Sequence, residues 1–142
     1  MRIIEVVRAR GHVNVRATHS TTLEVTTENY LTPRGDCIIA VNADKSPLTL
    51  SEEFKAALRK DESRVRATIS VGGLSEEVRG WGSAKLTLTS PVSMVFRKSR
   101  YVDPRTVMVS ADKSAADLSR ELVSKLRDPR ALVTITLEVE TP

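Results

Sequence analysis

Short runs of alternating apolar and polar residues dominate the chain, interrupted twice by a helical stripe. "VNVRAT" (13–18) and "TTLEVTT" (21–27) alternate with period two, which predicts half-buried strands. "CIIAVNA" (37–43) is a near-continuous apolar run and predicts a strand covered on both faces. Leu50, Phe54, Ala57 and Leu58 then fall at helical spacing on one stripe, predicting a helix of about three turns. Thr49 with Glu52 fits a capping box, Asp117 takes the N-cap place in a second helix, and Pro129 stops that helix. "RVRATISV" (64–71) and "LVTITLEVE" (132–140) predict further strands, the latter with Val133, Ile135, Leu137 and Val139 on one face. "RIIEVVRA" (2–9) predicts an opening strand, with a shorter echo around Glu77–Arg79. The total is about nine or ten strands and two helices, too much strand for a doubly wound fold.

The pattern also repeats. A shift of 68 carries Ala43-Asp44-Lys45-Ser46 onto Ala111-Asp112-Lys113-Ser114, Leu50-Ser51 onto Leu118-Ser119, and Leu58-Arg59 onto Leu126-Arg127. Upstream the shift is 71, carrying Thr18 onto Thr89, Tyr30 onto Tyr101 and Pro33-Arg34 onto Pro104-Arg105. The chain therefore reads as one domain over residues 1–142, built by duplication: repeat 1 spans about 5–71 and repeat 2 about 76–140, with "GGLSE" (72–76) between them. The expected fold class is α+β, predominantly β. Two β-rich repeats, each with one short helix, form a single pseudo-twofold, mostly antiparallel barrel or sandwich, the helices covering its open ends or edges.

Composition narrows the function classes. With 142 residues, 40% hydrophobic and 28% charged, the chain is long enough for one substantial core. No apolar run approaches the ~20 residues of a membrane span. Residues 1–7 are too short and acidic for a secretory signal, so a soluble cytoplasmic protein with no membrane partner is expected. The lone Cys37 excludes an internal disulfide and enters an apolar run, where an inert buried thiol is expected. A net charge of +4 permits contact with phosphates without demanding it. Gln is absent, and 15 Arg stand against 7 Lys, which suits a protein from a hot environment.

Three stretches carry a family resemblance: "GHVNVRATHSTTLEVT" (11–26), "LTPRGDCIIAVNADK" (31–45) and "VFRKSRYVDPRTVMVSADKSAADLSRELVSKLRDP" (95–129). Together they resemble the archaeal family catalogued as domain of unknown function 371. The resemblance implies a small archaeal protein of two related β-rich halves, and it brings no activity and no cofactor. The family pattern it implies includes Gly11-His12, Thr18-His19, Arg34-Gly35-Asp36, Asp44-Lys45 and Asp112-Lys113. The second half of this chain carries Gly82-Ser83 and Thr89-Ser90 where further Gly-His and Thr-His pairs are expected.

Candidate chemistry is sparse. His12 and His19 are the only histidines and, with Asp36 or Asp44, candidate metal ligands, but seven residues apart they face opposite sides of a regular strand, and no tight ligand spacing occurs. The plain alternative is that both bond backbone in turns. For the two Asp-Lys pairs, the plain reading is a turn aspartate and a solvated lysine. The functional reading is a groove between the repeats. There Arg34, Lys45, Arg105 and Lys113 bind a small anionic, phosphorylated or nucleotide-like ligand, and His19, Asp44 and Asp112 supply polar or catalytic groups. Whether catalysis follows is left open. Two other classes compete: a non-enzymatic module binding structured RNA or a protein complex through Arg16, Arg64, Arg66, Arg97, Lys98 and Arg100, and an oligomerising protein using edges such as residues 2–9. Aromatic content of 4% argues against a stacking platform for single-stranded nucleic acid, and Trp81 in "GWG" is as compatible with core as with surface.

Overall fold

The computed structural model describes residues 1–142. Its elements in chain order are β1 (Arg2–Arg10), β2 (Thr22–Thr26), β3 (Ile38–Ala40), α1 (Glu52–Leu58), β4 (Arg64–Val71), β5 (Leu74–Trp81), β6 (Ser93–Arg97), β7 (Thr106–Met108), α2 (Arg120–Leu126) and β8 (Leu132–Glu140). They form two four-stranded sheets, ordered β1-β8-β4-β5 and β3-β2-β6-β7. The first is antiparallel throughout. The second is antiparallel between β2 and β6 and parallel at both margins. The fold is thus β-rich with two helices and mostly antiparallel pairing. Neither sheet closes into a barrel, so the arrangement is sandwich-like.

Period-two alternation decides which face of the first sheet is covered. Val133, Ile135, Leu137 and Val139 of β8 stand beside Val65, Ala67, Ile69 and Val71 of β4, all buried in a single apolar cluster of 36 residues. The intervening residues, chiefly Thr, Ser, Arg and Glu, face outward and are partly or fully exposed. That polar outer face is the largest consequence of the pattern.

Several expected elements differ. β4 and β5 are joined by Gly72 and Gly73 alone, both left-handed with φ of 55° and 80°, as a two-residue hairpin turn of this hand requires. The segment 72–76 is therefore a tight turn running into a full eight-residue strand, rather than a linker before a short echo. "CIIAVNA" is extended only over Ile38–Ala40, because Asn42 turns the chain with a φ of 56°. Each helix has seven residues, and the N-caps are Ser51 and Ser119, whose hydroxyls accept from the N–H of Phe54 and Leu122. Thr49 and Asp117 instead close the turns just before: Thr49 Oγ1 accepts from the Ser46 N–H, and Asp117 Oδ2 accepts from the Ser114 N–H.

"VNVRAT" is no strand. Its alternation is real, with Val15 and Ala17 buried and their neighbours outward, but Ala17 has a φ of 50° and the segment joins neither sheet. Arginine side chains from α2 and its C-cap take the place of a neighbouring strand: Arg127 Nε donates to the Val15 carbonyl at 3.0 Å and Arg120 Nη1 to the Ala17 carbonyl at 3.0 Å. The segment 86–88 repeats this, with Leu88 at a φ of 54° and Arg59 donating to the carbonyls of Leu86 and Thr87.

These loops bind the chain crosswise. The His12 N–H donates to the Leu126 carbonyl at the end of α2, and the Ser83 N–H to the Leu58 carbonyl at the end of α1. Gly11 and Gly82 permit the approach. A Cβ on Gly11 would overlap the carbonyl oxygens of Asp128 and Leu126, and one on Gly82 those of Leu58 and Lys60. Gly82→Ala is accordingly expected to destabilise the fold by about 2–3 kcal/mol, measured by urea unfolding, whereas Gly73→Ala, with open space around its Cβ, costs only the left-handed backbone, about 1 kcal/mol.

Candidate functional site

The two Asp-Lys pairs do not meet. Asp44 clips onto β1: its N–H donates to the Arg8 carbonyl and its Oδ1 accepts from the Arg8 N–H, both at 2.9 Å. Asp112 makes the same two bonds to Arg79 of β5, each at 2.8 Å. Lys45 Nζ lies 2.7 Å from Glu5 of β1, whose other oxygen takes the Ser51 N–H. Lys113 Nζ lies 3.0 Å from Glu76 of β5, whose other oxygen takes the Ser119 N–H. β1 and β5 are opposite edges of the sheet, with β8 and β4 between them, so three strand spacings, about 14 Å, part the two edges, and the pairs lie outside them, farther apart still. The expected groove lined by Lys45 and Lys113 is thus not formed. Each lysine is satisfied by its own glutamate, and each aspartate replaces the strand neighbour that an edge lacks. Burial pushes the Glu5 carboxyl up, but Lys45 and the Ser51 N–H outweigh it and hold it below its ordinary value.

The histidines do similar local work. His12 Nδ1 accepts from the Asn14 N–H, and His19 Nδ1 accepts from the N–H groups of Thr21 and Thr22. In the second half Ser83 Oγ accepts from the Lys85 N–H, and Ser90 Oγ from those of Val92 and Ser93. A hydroxyl does the same work as an imidazole at both places, because all that is required is an acceptor two or three residues ahead of the donor. No three His, Cys, Asp or Glu side chains cluster as metal ligands, so nothing joins the two histidines into such a site.

Arg34 stands exposed in the turn before β3, its side chain hydrogen-bonding nothing in the chain. Arg105 lies elsewhere in a polar knot. It donates to Asp103 at 2.8 and 3.0 Å and lies 3.7 Å from Glu24, while the buried Arg97 donates to Asp103 and Thr106. Burial works against ionised Asp103, but Arg105, Thr106 and Arg97 together bring its carboxyl down to about 2. Cys37 Sγ contacts Glu24 Oε1 at 3.6 Å, and burial followed by that carboxylate pushes the thiol up to about 11, which keeps it protonated and inert.

One open concavity is on the outer face of the first sheet. A hollow of about 580 Å³ lies at the corner where β4, β5 and β8 end and is walled by residues from all four strands. Register puts Arg2, Glu140, Arg64 and Trp81 in one row across the sheet, and Ile4, Glu138, Arg66 and Arg79 in the next. Arg66 is held by Glu138 at 2.6 Å and Arg79 by Glu77 at 2.7 Å; Arg2 approaches Glu138 at 3.7 Å. Arg64 has no carboxylate partner. Its guanidinium lies over the Trp81 ring, 5.6 Å from the centroid, and Trp81 is 38% exposed. Asp112 and Ser110 form the side wall, since Asp112 clips Arg79 and Trp81 bridges to Val109. At the other edge Arg8 and Arg10 occupy the positions of Arg79 and Trp81, and Thr134 and Leu132 those of Arg66 and Arg64; a second hollow, of about 660 Å³, opens there beside Leu132 against α2 and the loop after it, with no aromatic ring in its lining.

With this geometry in view, residues 7–140 match the family described as domain of unknown function (DUF371). The chain belongs to that family. It is 48% identical over 128 residues to "Uncharacterized protein MJ0206" of Methanocaldococcus jannaschii, covering 90% of this chain and 94% of that protein. No helix of this DUF371 protein is long and apolar enough to cross a membrane.

Of the residues expected at a site, only Asp112 borders the hollow; Arg64 and Arg66 belonged to the competing basic face, and Arg2, Arg79 and Glu138 were not singled out. A signal existed in the paired spacings Arg64-x-Arg66, Arg79-x-Trp81 and Glu138-x-Glu140, which alternation turns onto one face. Only strand order makes them neighbours.

Two outcomes are expected in this DUF371 protein. Lys45→Ala and Lys113→Ala each cost about 1–3 kcal/mol by stranding a shielded glutamate, and in the double variant the costs add within about 0.5 kcal/mol, as for independent sites. Chemical denaturation reads this, and a larger coupling would mean that the pairs share one site. Asp103, with its pKa below the unfolded value of about 3.9, stabilises the fold above that value. The contribution is lost as pH falls from about 4 to about 2, and Asp103→Asn flattens that part of the stability–pH curve.

Proposed function

We propose that the protein binds a small anionic ligand carrying an aromatic ring, of the nucleotide kind, in the corner hollow of the first sheet. The observation that carries this reading is Arg64: a guanidinium with no carboxylate partner, over an exposed Trp81, in a hollow of about 580 Å³. A hollow of that size lies within the usual range for small-molecule sites, about 300–1,000 Å³. Trp81 offers a ring for a base to stack on, and Arg64 a charge for a phosphate. Arg66 and Arg79 are pre-oriented by Glu138 and Glu77 and keep further N–H groups for the ligand. Asp112 is a positioning residue, since it fixes the edge that presents Arg79 and Trp81. This site takes the place of the groove expected around Lys45 and Lys113, and the reading assigns no catalytic group.

Isothermal titration with UMP, AMP, ribose 5-phosphate and inorganic phosphate tests the proposal. The nucleotides are expected to bind more tightly than ribose 5-phosphate. Trp81→Ala is expected to remove that advantage, and Arg64→Ala to weaken every phosphorylated ligand about tenfold, the loss of one charge-assisted contact. Lys45→Ala, on the far edge, leaves the affinities as they are. Absence of binding, or binding indifferent to both Arg64 and Trp81, overturns the reading.

A further inference from the structure

We infer that the ligand of this hollow is the end of a single-stranded RNA, whose next few nucleotides cross the outer face of the first sheet toward Arg8 and Arg10. This rests on the hollow being a nucleotide site. No other element covers the outer face, whose residues on β4 and β8 are partly to fully exposed. Two rows beyond the hollow hold hydroxyls: Thr136 beside Thr68, then Thr134 beside Ser70. Arg8 lies in the second of these rows, and Arg10 comes one step further along β1.

Charge favours this diagonal. The backbone of Arg8 is clipped by Asp44 and that of Arg10 bridges to Val41, which leaves both side chains outward and exposed. Neither pairs with a carboxylate; Arg10 Nη1 donates only to the Arg130 carbonyl, at 3.4 Å. Of the acids of the face, only Glu140 is unpaired, at the rim of the hollow between Arg2 and Arg64 where the path begins. Glu77 is at the β5 margin under Arg79, and Glu138 is held by Arg66. A polyanion running from Arg64 to Arg8 therefore meets a cation at each end, and between them the mutually neutralised Arg66–Glu138 pair and then two rows of hydroxyls. Three steps of two residues along a strand make this track about 20 Å long, room for about four nucleotides, the lower end of single-strand site sizes. With a single aromatic on the face, only the terminal base stacks, and the remaining contacts go to phosphate and sugar. The row of Thr and Ser hydroxyls is the chemistry that engages ribose 2′-OH groups, which is why RNA is specified.

Fluorescence anisotropy with fluorescein-labelled oligouridylates of two to ten nucleotides, and UMP as competitor, tests this on the intact protein. Affinity is expected to climb at least tenfold from UMP to a pentamer and then level off, with log K falling against log salt at a slope near −2 for about three phosphate contacts. The double variant Arg8→Gln, Arg10→Gln keeps the backbone clips; it is expected to lose about tenfold for the octamer and to bind UMP like the unaltered protein. Trp81→Ala weakens both ligands. The inference fails if the octamer binds no more tightly than UMP, if the double variant binds it unchanged, or if the deoxy octamer binds equally well. Failure of UMP itself to bind sinks the nucleotide hollow instead; octamer binding that still depends on Arg8 and Arg10 would then keep the track alone.

Discussion

Two backbone hydrogen bonds at helix C-termini hold the topology together. A seven-residue helix leaves most of its carbonyls without an intrahelical partner and is marginal on its own. Here the Leu58 carbonyl of α1 receives the Ser83 N–H, and the Leu126 carbonyl of α2 receives the His12 N–H, each from a loop far away in sequence. Glycine is required beside each donor because backbone must touch backbone there. Arg59 and Arg127, the C-cap residues, finish the job by donating to carbonyls of the same loops. The first loop seals the second helix and the second loop the first. Neither helix is complete without the distant half of the chain, so a single cooperative core follows.

The repeated Ala-Asp-Lys-Ser belongs to the same economy. An edge strand offers unpaired N–H and C=O groups, and an aspartate that supplies both a backbone donor and a side-chain acceptor closes the edge over one residue. The following lysine then neutralises a glutamate on the covered side of the same strand. Asp, Lys and Glu recur together because the three make one fastening, used once on β1 and once on β5. The change from histidine to serine in the turns follows the same logic: only an acceptor at a fixed offset is needed, and two chemically different side chains provide it.

The two edges share their fastenings but differ in what they present outward. On β5 the last two outward residues are Arg79 and Trp81; on β1 they are Arg8 and Arg10. The neighbouring strands differ in step, with Arg64 and Arg66 on β4 against Leu132 and Thr134 on β8. One corner of the sheet therefore gathers arginines and an exposed ring around its hollow, and the opposite corner has arginines without a ring.

Local pattern determined a good deal. Alternation along 64–71 and 132–140 identified the two central strands and their buried residues, and the stripe Leu50, Phe54, Ala57, Leu58 located the first helix, because burial on one side imposes a period whatever the partner is. The same alternation misassigned 13–18, since a loop packed on arginine side chains buries every second residue as a strand does. Sequence also showed that Asp44-Lys45 and Asp112-Lys113 correspond, but correspondence says nothing of distance. Strand order decided that they lie on opposite edges and that Arg64, Arg66, Arg79, Glu138 and Trp81 share a corner. Such pairing is set by contacts between residues as far apart in sequence as Arg2 and Glu140 at the two ends of the chain, which no local period can encode.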